Sequence, residues 1–138
     1  MRFKDFIERG QVRKTSKNLS LVKSLIKTSD EDLKFIKSLE ISNKSARKIM
    51  VSYYDILRSV IEAMSILDGY KVYSHEAFTH FLKERGENLI AQKFDRFRII
   101  RNKINYYGKS ISVEEVKENT KEIIRIIEIL KKRHLSSI

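Results

Sequence analysis

The chain has 138 residues, 41% of them hydrophobic and 34% charged, so it is long enough for one domain with its own core. It contains no cysteine, which excludes disulfides, thiolate zinc sites and cysteine nucleophiles and fits a reducing cytoplasm. Its net charge of +11 favours a polyanionic partner, first a nucleic acid and second a membrane surface, although a lysine-rich surface that only maintains solubility is the alternative.

Apolar residues recur at helical spacing along the whole chain, and no segment alternates like a strand. The predicted helices are residues 2–9, residues 17–39, a segment capped by Ser42 that runs to Leu67, residues 74–85, residues 88–107, and a last helix opened by Ser112 and Glu115 with capping-box spacing. All four glycines fall between these segments, as helix C-caps do. We therefore predict one domain over residues 1–138, an all-α, up-and-down antiparallel bundle of four to five helices.

The last predicted helix is apolar around most of its circumference, at Ile123, Ile124, Ile126, Ile127, Ile129 and Leu130. A helix of this kind is buried on two sides or contributes to a dimer. We expect a homodimer. No uncharged apolar run approaches the roughly 18 residues of a membrane span, so we expect a cytoplasmic protein with no membrane among its partners.

Positive charge is concentrated before the last helix. Six basic residues face one acidic residue in residues 93–109, a net charge of +5: Lys93, Arg96, Arg98, Arg101, Lys103 and Lys109 against Asp95. Within this segment Arg101 interrupts an apolar stripe made by Phe94, Phe97 and Ile104, where the helical pattern predicts a core residue. Asn105 lies on the same face, one turn further along the helix.

Two accounts of Arg101 compete. An arginine beside a core loses hydration, which is unfavourable unless a charge or a hydrogen-bond partner compensates for the loss. In the structural account, Arg101 pairs with a carboxylate, for which Asp55 and Glu62 are the candidates, or extends past its neighbours to solvent. In the functional account, its planar guanidinium faces a cleft and binds a phosphate.

The stretch "IIRNKINYYG", residues 99–108, resembles the motif of the HEPN domain family, and the order of the predicted helices resembles these small helical bundles over most of the chain. Members of the family typically carry an Arg, a polar residue that is often Asn, three further residues and a His. Arg101 and Asn102 match the first two positions, and Tyr106 stands where the His is expected.

The resemblance implies a nucleotide- or RNA-binding protein that is a homodimer, with two motifs facing one cleft. Active members of the family are metal-independent ribonucleases, and many are toxins paired with a nucleotidyltransferase antitoxin. It implies no cofactor or metal and gives the catalytic positions as Arg101, Asn102 and Tyr106. Basic, amide and aromatic residues close to Arg101 in the sequence complete the predicted phosphate- or nucleic-acid-binding set, which is Arg98, Arg101, Lys103, Asn105, Tyr107 and Lys109.

Tyr106 stands where the family motif has a His, and this difference leaves other functions as alternatives. An unperturbed phenol has a pKa of about 10, against about 6.5 for an imidazole, so a tyrosine is a weak base at neutral pH. The alternatives are a catalytically inactive module that binds a nucleotide or a partner protein, and a structural dimerisation bundle. Tyr106 has two equal interpretations, a phosphate or base contact or a structural residue, whereas Tyr107 is predicted mainly as a core residue.

Two further motifs have ordinary interpretations. In "SYYD", residues 52–55, we predict Tyr53 in the core and Tyr54 at its polar edge. The histidines of "HEAFTH", residues 75–80, are five residues apart, about 140° around a helix, and do not match the zinc-protease motif. We place His75 in a first helical turn, His80 on a partly exposed face and His134 at a solvated helix end.

Overall fold

The computed structural model describes the whole chain, Met1–Ile138, and contains six helices and two short strands. In chain order these are α1 (Phe3–Glu8), β1 (Val12–Lys14), α2 (Leu19–Lys37), α3 (Ala46–Leu67), β2 (Tyr70–Val72), α4 (His75–Glu84), α5 (Asn88–Tyr107) and α6 (Val113–His134). The prediction of an all-α helical bundle is confirmed. None of the helices combines the length and the apolar character that crossing a bilayer requires.

The two strands were not expected from the sequence. β1 and β2 form an antiparallel ribbon in which Val12 pairs with Val72 and Lys14 with Tyr70. Both valines are buried, and the ribbon links the turn after α1 to the turn after α3. Three residues are too few to show alternation, and the two strands are far apart in the chain, so only tertiary packing forms the pair.

Helix α3 is the centre of the bundle, because α2, α4, α5 and α6 all pack against it. Its side chains are buried around much of the helix, including Tyr53 and the completely buried Leu57 and Ile61. Tyr54 has no exposed surface at all, so its predicted place at a polar edge is wrong. The adjacent helices cover the face of α3 on which Tyr54 lies, and its ring stacks on Phe94 of α5 with centroids 5.4 Å apart.

The helix ends follow the predicted chemistry only in part. Ser112 caps α6, since its Oγ accepts a hydrogen bond from the Glu115 backbone N–H at 3.1 Å. Ser42 does not cap α3: the helix begins one turn later, and Ser42 lies in the preceding turn with its backbone N–H bonded to Ser45 Oγ. All four glycines have positive φ, as the junction prediction requires.

Most of the apolar surface of α6 is covered within one chain. Ile123, Ile126, Ile127 and Leu130 are buried, and Ile124 and Ile129 are half-buried against the same core. The two-sided burial predicted for this helix is therefore present in the monomer. The homodimer stays a prediction, but the apolar surface of α6 no longer supports it, because the monomer itself covers that surface.

Candidate phosphate-binding site

Arg101 lies on the core-facing side of α5. Phe94 and Phe97 before it and Ile104 after it are buried, whereas Arg101 is half-buried. The helical stripe therefore places the start of the Arg101 side chain against the core, while its length carries the guanidinium to the edge of the bundle. The predicted interruption of an apolar stripe is confirmed.

The guanidinium of Arg101 has only neutral partners. Its Nη1 donates to Asn102 Oδ1 at 3.1 Å and to the Tyr106 hydroxyl at 3.4 Å. Its central carbon lies 5.7 Å from the centre of the Tyr54 ring and 5.6 Å from that of Tyr106, close enough for cation–π attraction. The buried Nε has no hydrogen-bond partner. Arg101 thus keeps an unused donor and a full positive charge.

Neither predicted carboxylate pairs with Arg101. Glu62 binds Arg58 and Lys71 instead, each at 2.8 Å, because β2 brings Lys71 beside this part of α3. These hydrogen bonds outweigh the effect of burial and lower the pKa of Glu62. Asp55 makes no ion pair, and its burial raises the pKa of its carboxyl group even though Arg58 and Arg101 oppose the shift. The account in which a carboxylate neutralises Arg101 is wrong.

A histidine from a third helix joins this region. His75, the first residue of α4, has its Nδ1 2.7 Å from the hydroxyl of Tyr54, the ring over which Arg101 lies. The two rings are nearly parallel, with centroids 5.8 Å apart. The placement of His75 in a first helical turn is confirmed, but its contact with the centre of the molecule was not foreseen.

Burial and positive charge together keep this imidazole neutral. Desolvation lowers the pKa of His75 to about 4, and the charges of Arg101, Arg58 and Arg98 act in the same direction. Burial also raises the pKa of Tyr54 far above its ordinary value, although the same arginines oppose that shift. Three arginines therefore surround a neutral tyrosine–histidine pair, and since Glu62 and Asp95 pair with Arg58 and Arg98, it is the unpaired charge of Arg101 that favours an added negative charge.

Only some of the predicted binding residues lie beside Arg101. Asn102 and Tyr106 contact Arg101, and Arg98 is nearby but bound to Asp95 at 2.8 Å. An α-helix turns by about 100° per residue, so Lys103 and Tyr107 lie roughly 120–160° away from Arg101 around α5. Asn105 and Lys109 are exposed beside the end of the helix.

Tyr107 is not a core residue, because 75% of its surface is exposed. Tyr106 is 68% exposed and keeps its contact with Arg101. All residues from Asn105 to Ser110 are exposed, so the last turn of α5 extends beyond the helices that pack on it. Two tyrosine rings at this end are thus accessible to a ligand.

The local charge is smaller than the sequence suggests. Lys93 and Arg96 both pair with Glu122 of α6, at 3.3 and 3.0 Å, and Arg98 pairs with Asp95. Of the six cations in residues 93–109, only Arg101, Lys103 and Lys109 are without a carboxylate partner. The unpaired cations of this segment therefore lie in the C-terminal half of α5 and just after it.

The other histidines do not belong to the site. His80 packs on Phe6, with ring centroids 4.9 Å apart. His134 is not at a solvated helix end: it is half-buried, and its Nε2 lies 2.6 Å from the buried carboxylate of Glu87. No three His, Asp or Glu side chains converge as metal ligands.

The largest cavity, about 800 Å³, also lies elsewhere. It is bounded by Lys23, Lys27 and Glu31 of α2 and by Lys132 and Leu135 at the end of α6. Arg101 and His75 do not line this cavity or the four smaller ones on α1–α4, so the candidate site is an open surface at the edge of the bundle.

Sequence reasoning found Arg101, Asn102 and Tyr106 but missed Tyr54 and His75. A tyrosine within a helical apolar stripe and a histidine at a helix start carry no signal of a shared contact. No family model, curated protein or solved structure matches the chain.

Proposed function

We propose that this chain is a HEPN-type RNA-binding protein in which Arg101 contacts a phosphate of the RNA. The observation that carries the proposal is the state of Arg101: half-buried, without a carboxylate partner and with an unused Nε donor. A half-buried positive charge without a counter-ion is partly desolvated, which favours the binding of an anion at its accessible side. Nη2 also makes no hydrogen bond and, unlike Nε, is not a buried atom, so a phosphate oxygen can bind there and supply the missing negative charge.

The surroundings of Arg101 favour RNA over a single inorganic anion. Tyr106 and Tyr107 expose their rings at the end of the same helix, and exposed aromatic rings are stacking surfaces for unpaired bases. Lys103 and Lys109 have no ion pair and can contact further phosphates. One phosphate contact, two aromatic rings and two exposed, unpaired cations around the end of α5 match a short single-stranded segment.

Two forms of this function differ in chemistry. As a metal-independent ribonuclease, with a nucleotidyltransferase as its antitoxin, the protein would use Arg101 to stabilise negative charge on the phosphate during attack by the ribose 2′-hydroxyl. As an inactive module, it would bind an RNA, a nucleotide or a partner protein through the same residues. The Tyr at position 106 favours the module, and the imidazole of His75 near Arg101 favours the enzyme.

Binding is tested with a fluorescently labelled single-stranded RNA in excess chelator, followed by polarisation. We expect Arg101→Ala to weaken binding by about 1.5–3 kcal/mol, or roughly 10- to 150-fold, as for loss of a charged hydrogen bond. Arg96→Ala is the matched control, because Arg96 lies on the same helix but pairs with Glu122. Equal affinity in wild type and Arg101→Ala, with both proteins folded by circular dichroism, would overturn the proposal.

Cleavage is measured on the same RNA, again in chelator. Cutting by the wild type that is absent in Arg101→Ala selects the ribonuclease. Binding that depends on Arg101, without cutting across several RNAs, selects the inactive module.

A further inference from the structure

We propose that His75 is the second phosphate-binding residue of the Arg101 site and supplies the imidazole that position 106 lacks. Tyr54 orients its ring so that Nε2–H is offered to a phosphate oxygen, and the ring takes up a second proton, on Nδ1, when RNA binds at acidic pH. This inference rests on the proposed function, since it names a further residue of the same site.

One edge of the His75 ring is available to a ligand. Only two buried side-chain polar atoms of the chain have no hydrogen-bond partner, Ser29 Oγ and Arg101 Nε. His75 Nε2 also makes no hydrogen bond, yet it is not one of these buried atoms. It therefore reaches solvent, while Nδ1 on the opposite side of the ring is held by Tyr54.

The hydroxyl of Tyr54 determines which nitrogen of the neutral His75 ring carries the hydrogen. Tyr54 is completely buried, and the only hydrogen-bond partner of its hydroxyl is His75 Nδ1 at 2.7 Å. A buried hydroxyl hydrogen without an acceptor is unfavourable, so Tyr54 donates to Nδ1. The neutral ring must then carry its own hydrogen on Nε2. His75 consequently presents a hydrogen-bond donor to the solvent side.

Arg101 and His75 lie in one electrostatic environment. Arg101 lies over the Tyr54 ring, which bonds to His75, and the charge of Arg101 acts directly on the imidazole. The charged and titratable groups around His75 are Tyr54, Arg58 and Glu62 from α3 and Arg98 and Arg101 from α5. His75 also lies at the positive end of α4, where Ser74 makes no side-chain cap.

Phosphate binding and protonation of His75 are coupled. Without a ligand, burial and the three arginines lower the pKa of His75 to about 4, so the ring is neutral at pH 7. A bound phosphodiester places a negative charge among these cations and raises that pKa again. Between the pKa of the free protein and that of the complex, RNA binding therefore takes up a proton, which enters at Nδ1. Nδ1–H then donates to the Tyr54 oxygen, whose own hydrogen loses this acceptor, and this cost limits the rise in pKa. In that pH range affinity increases as the pH falls.

The test uses a 2′-O-methyl oligouridylate without a terminal phosphate. It cannot be cleaved through the 2′-oxygen, and neither its bases nor its phosphodiesters titrate between pH 5 and 7.5. If binding raises the His75 pKa by about two units, affinity increases roughly tenfold from pH 7 to pH 5. We expect this increase in the wild type and in His80→Gln, a matched control on the same helix outside the site.

Two substitutions of His75 separate its contributions. His75→Gln places an amide N–H near the position of Nε2 but cannot be protonated, so we expect affinity close to wild type at pH 7.5 and loss of the increase at low pH. His75→Ala lacks the donor as well, and we expect at least fivefold weaker binding at pH 7.5. Binding lost in Arg101→Ala but unchanged in both His75 variants would overturn this inference and leave the proposed function standing.

A further measurement uses only the wild-type protein, so its result does not depend on whether the His75 variants fold. The ring resonances of His75 are titrated by NMR with and without the oligonucleotide. We expect a pKa near 4 in the free protein and a higher value in the complex. An unchanged His75 pKa in a saturated complex would overturn the inference, even if binding depends on Arg101.

Discussion

At the scale of single residues, Arg101 and His75 show how burial changes chemistry. Arg101 is an arginine held against a core with neutral partners only, and His75 is an imidazole kept neutral by desolvation and positive charge. Tyr54 connects them, through its ring to Arg101 and through its hydroxyl to His75. A change to any of the three alters the electrostatic environment of the other two.

His75 also makes stability depend on pH. Its pKa is about 4 in the folded protein and about 6.5 when unfolded, so between these values the unfolded chain binds more protons. The free energy of unfolding therefore falls as the pH falls from about 6.5 to 4. We expect urea unfolding between pH 6.5 and 4.5 to show a smaller loss of stability in His75→Gln than in the wild type. Parallel pH profiles of the two proteins would contradict this prediction.

At the scale of the elements, ion pairs and helix ends determine how α5 is presented. The pairs of Lys93 and Arg96 with Glu122 tie the middle of α5 to α6. Beyond them the helix continues to Gly108, which ends it in a left-handed conformation with φ of 63°. The exposed tyrosines lie in this last turn, with Lys103 just before it and Lys109 just after the helix, and the packed part of the helix holds them in place.

Two glycine junctions differ in a way that mutation can measure. Gly108 and Gly69 both have positive φ, 63° and 88°, but a Cβ at Gly108 meets open space. A Cβ at Gly69 would lie 3.2 Å from the backbone oxygen of Thr15, whose N–H donates to Gly69 O at 2.8 Å. We expect Gly108→Ala to cost about 1 kcal/mol of stability and Gly69→Ala distinctly more, measured by urea unfolding. Equal losses would mean that Thr15 moves away freely.

At the scale of the whole molecule, the net charge of +11 is larger than the positive charge that remains unpaired near α5. Arg58, Arg98 and Lys93 are each bound to a carboxylate. Only Arg101, Lys103 and Lys109 in residues 93–109 remain for phosphates, and they occupy different sides of the helix end.

This distribution predicts a shallow dependence of RNA binding on salt. Single-stranded nucleic acids release about 0.7 counter-ions per phosphate contact, so three contacts give a slope of log affinity against log salt of roughly −2. Six contacts would give roughly −4. We expect the shallower slope for a short RNA between 50 and 300 mM salt. A slope near −4 would show that paired cations, or those of another surface, also contact the RNA.

Much of the fold was predictable because helical periodicity is a local property. The six helices follow from apolar spacing and from the glycines between them, and Arg101 was identified as a polar interruption of a regular stripe. The β1–β2 ribbon was not predictable, because each strand has three residues and its partner lies far along the chain. The start of α3 was misplaced because Ser42 and Ser45 are equally plausible caps by composition.

The sequence by itself determined the helical architecture, the position of Arg101 on a core-facing stripe and the positive charge of its helix, since each depends on neighbours within a few residues. Only the tertiary structure decided which charges are neutralised, that Tyr107 is exposed, and that Tyr54 and His75 from two other helices meet beside Arg101. Ion pairs, burial and pKa shifts depend on distances between segments that are remote in the chain, and packing around α3 sets those distances.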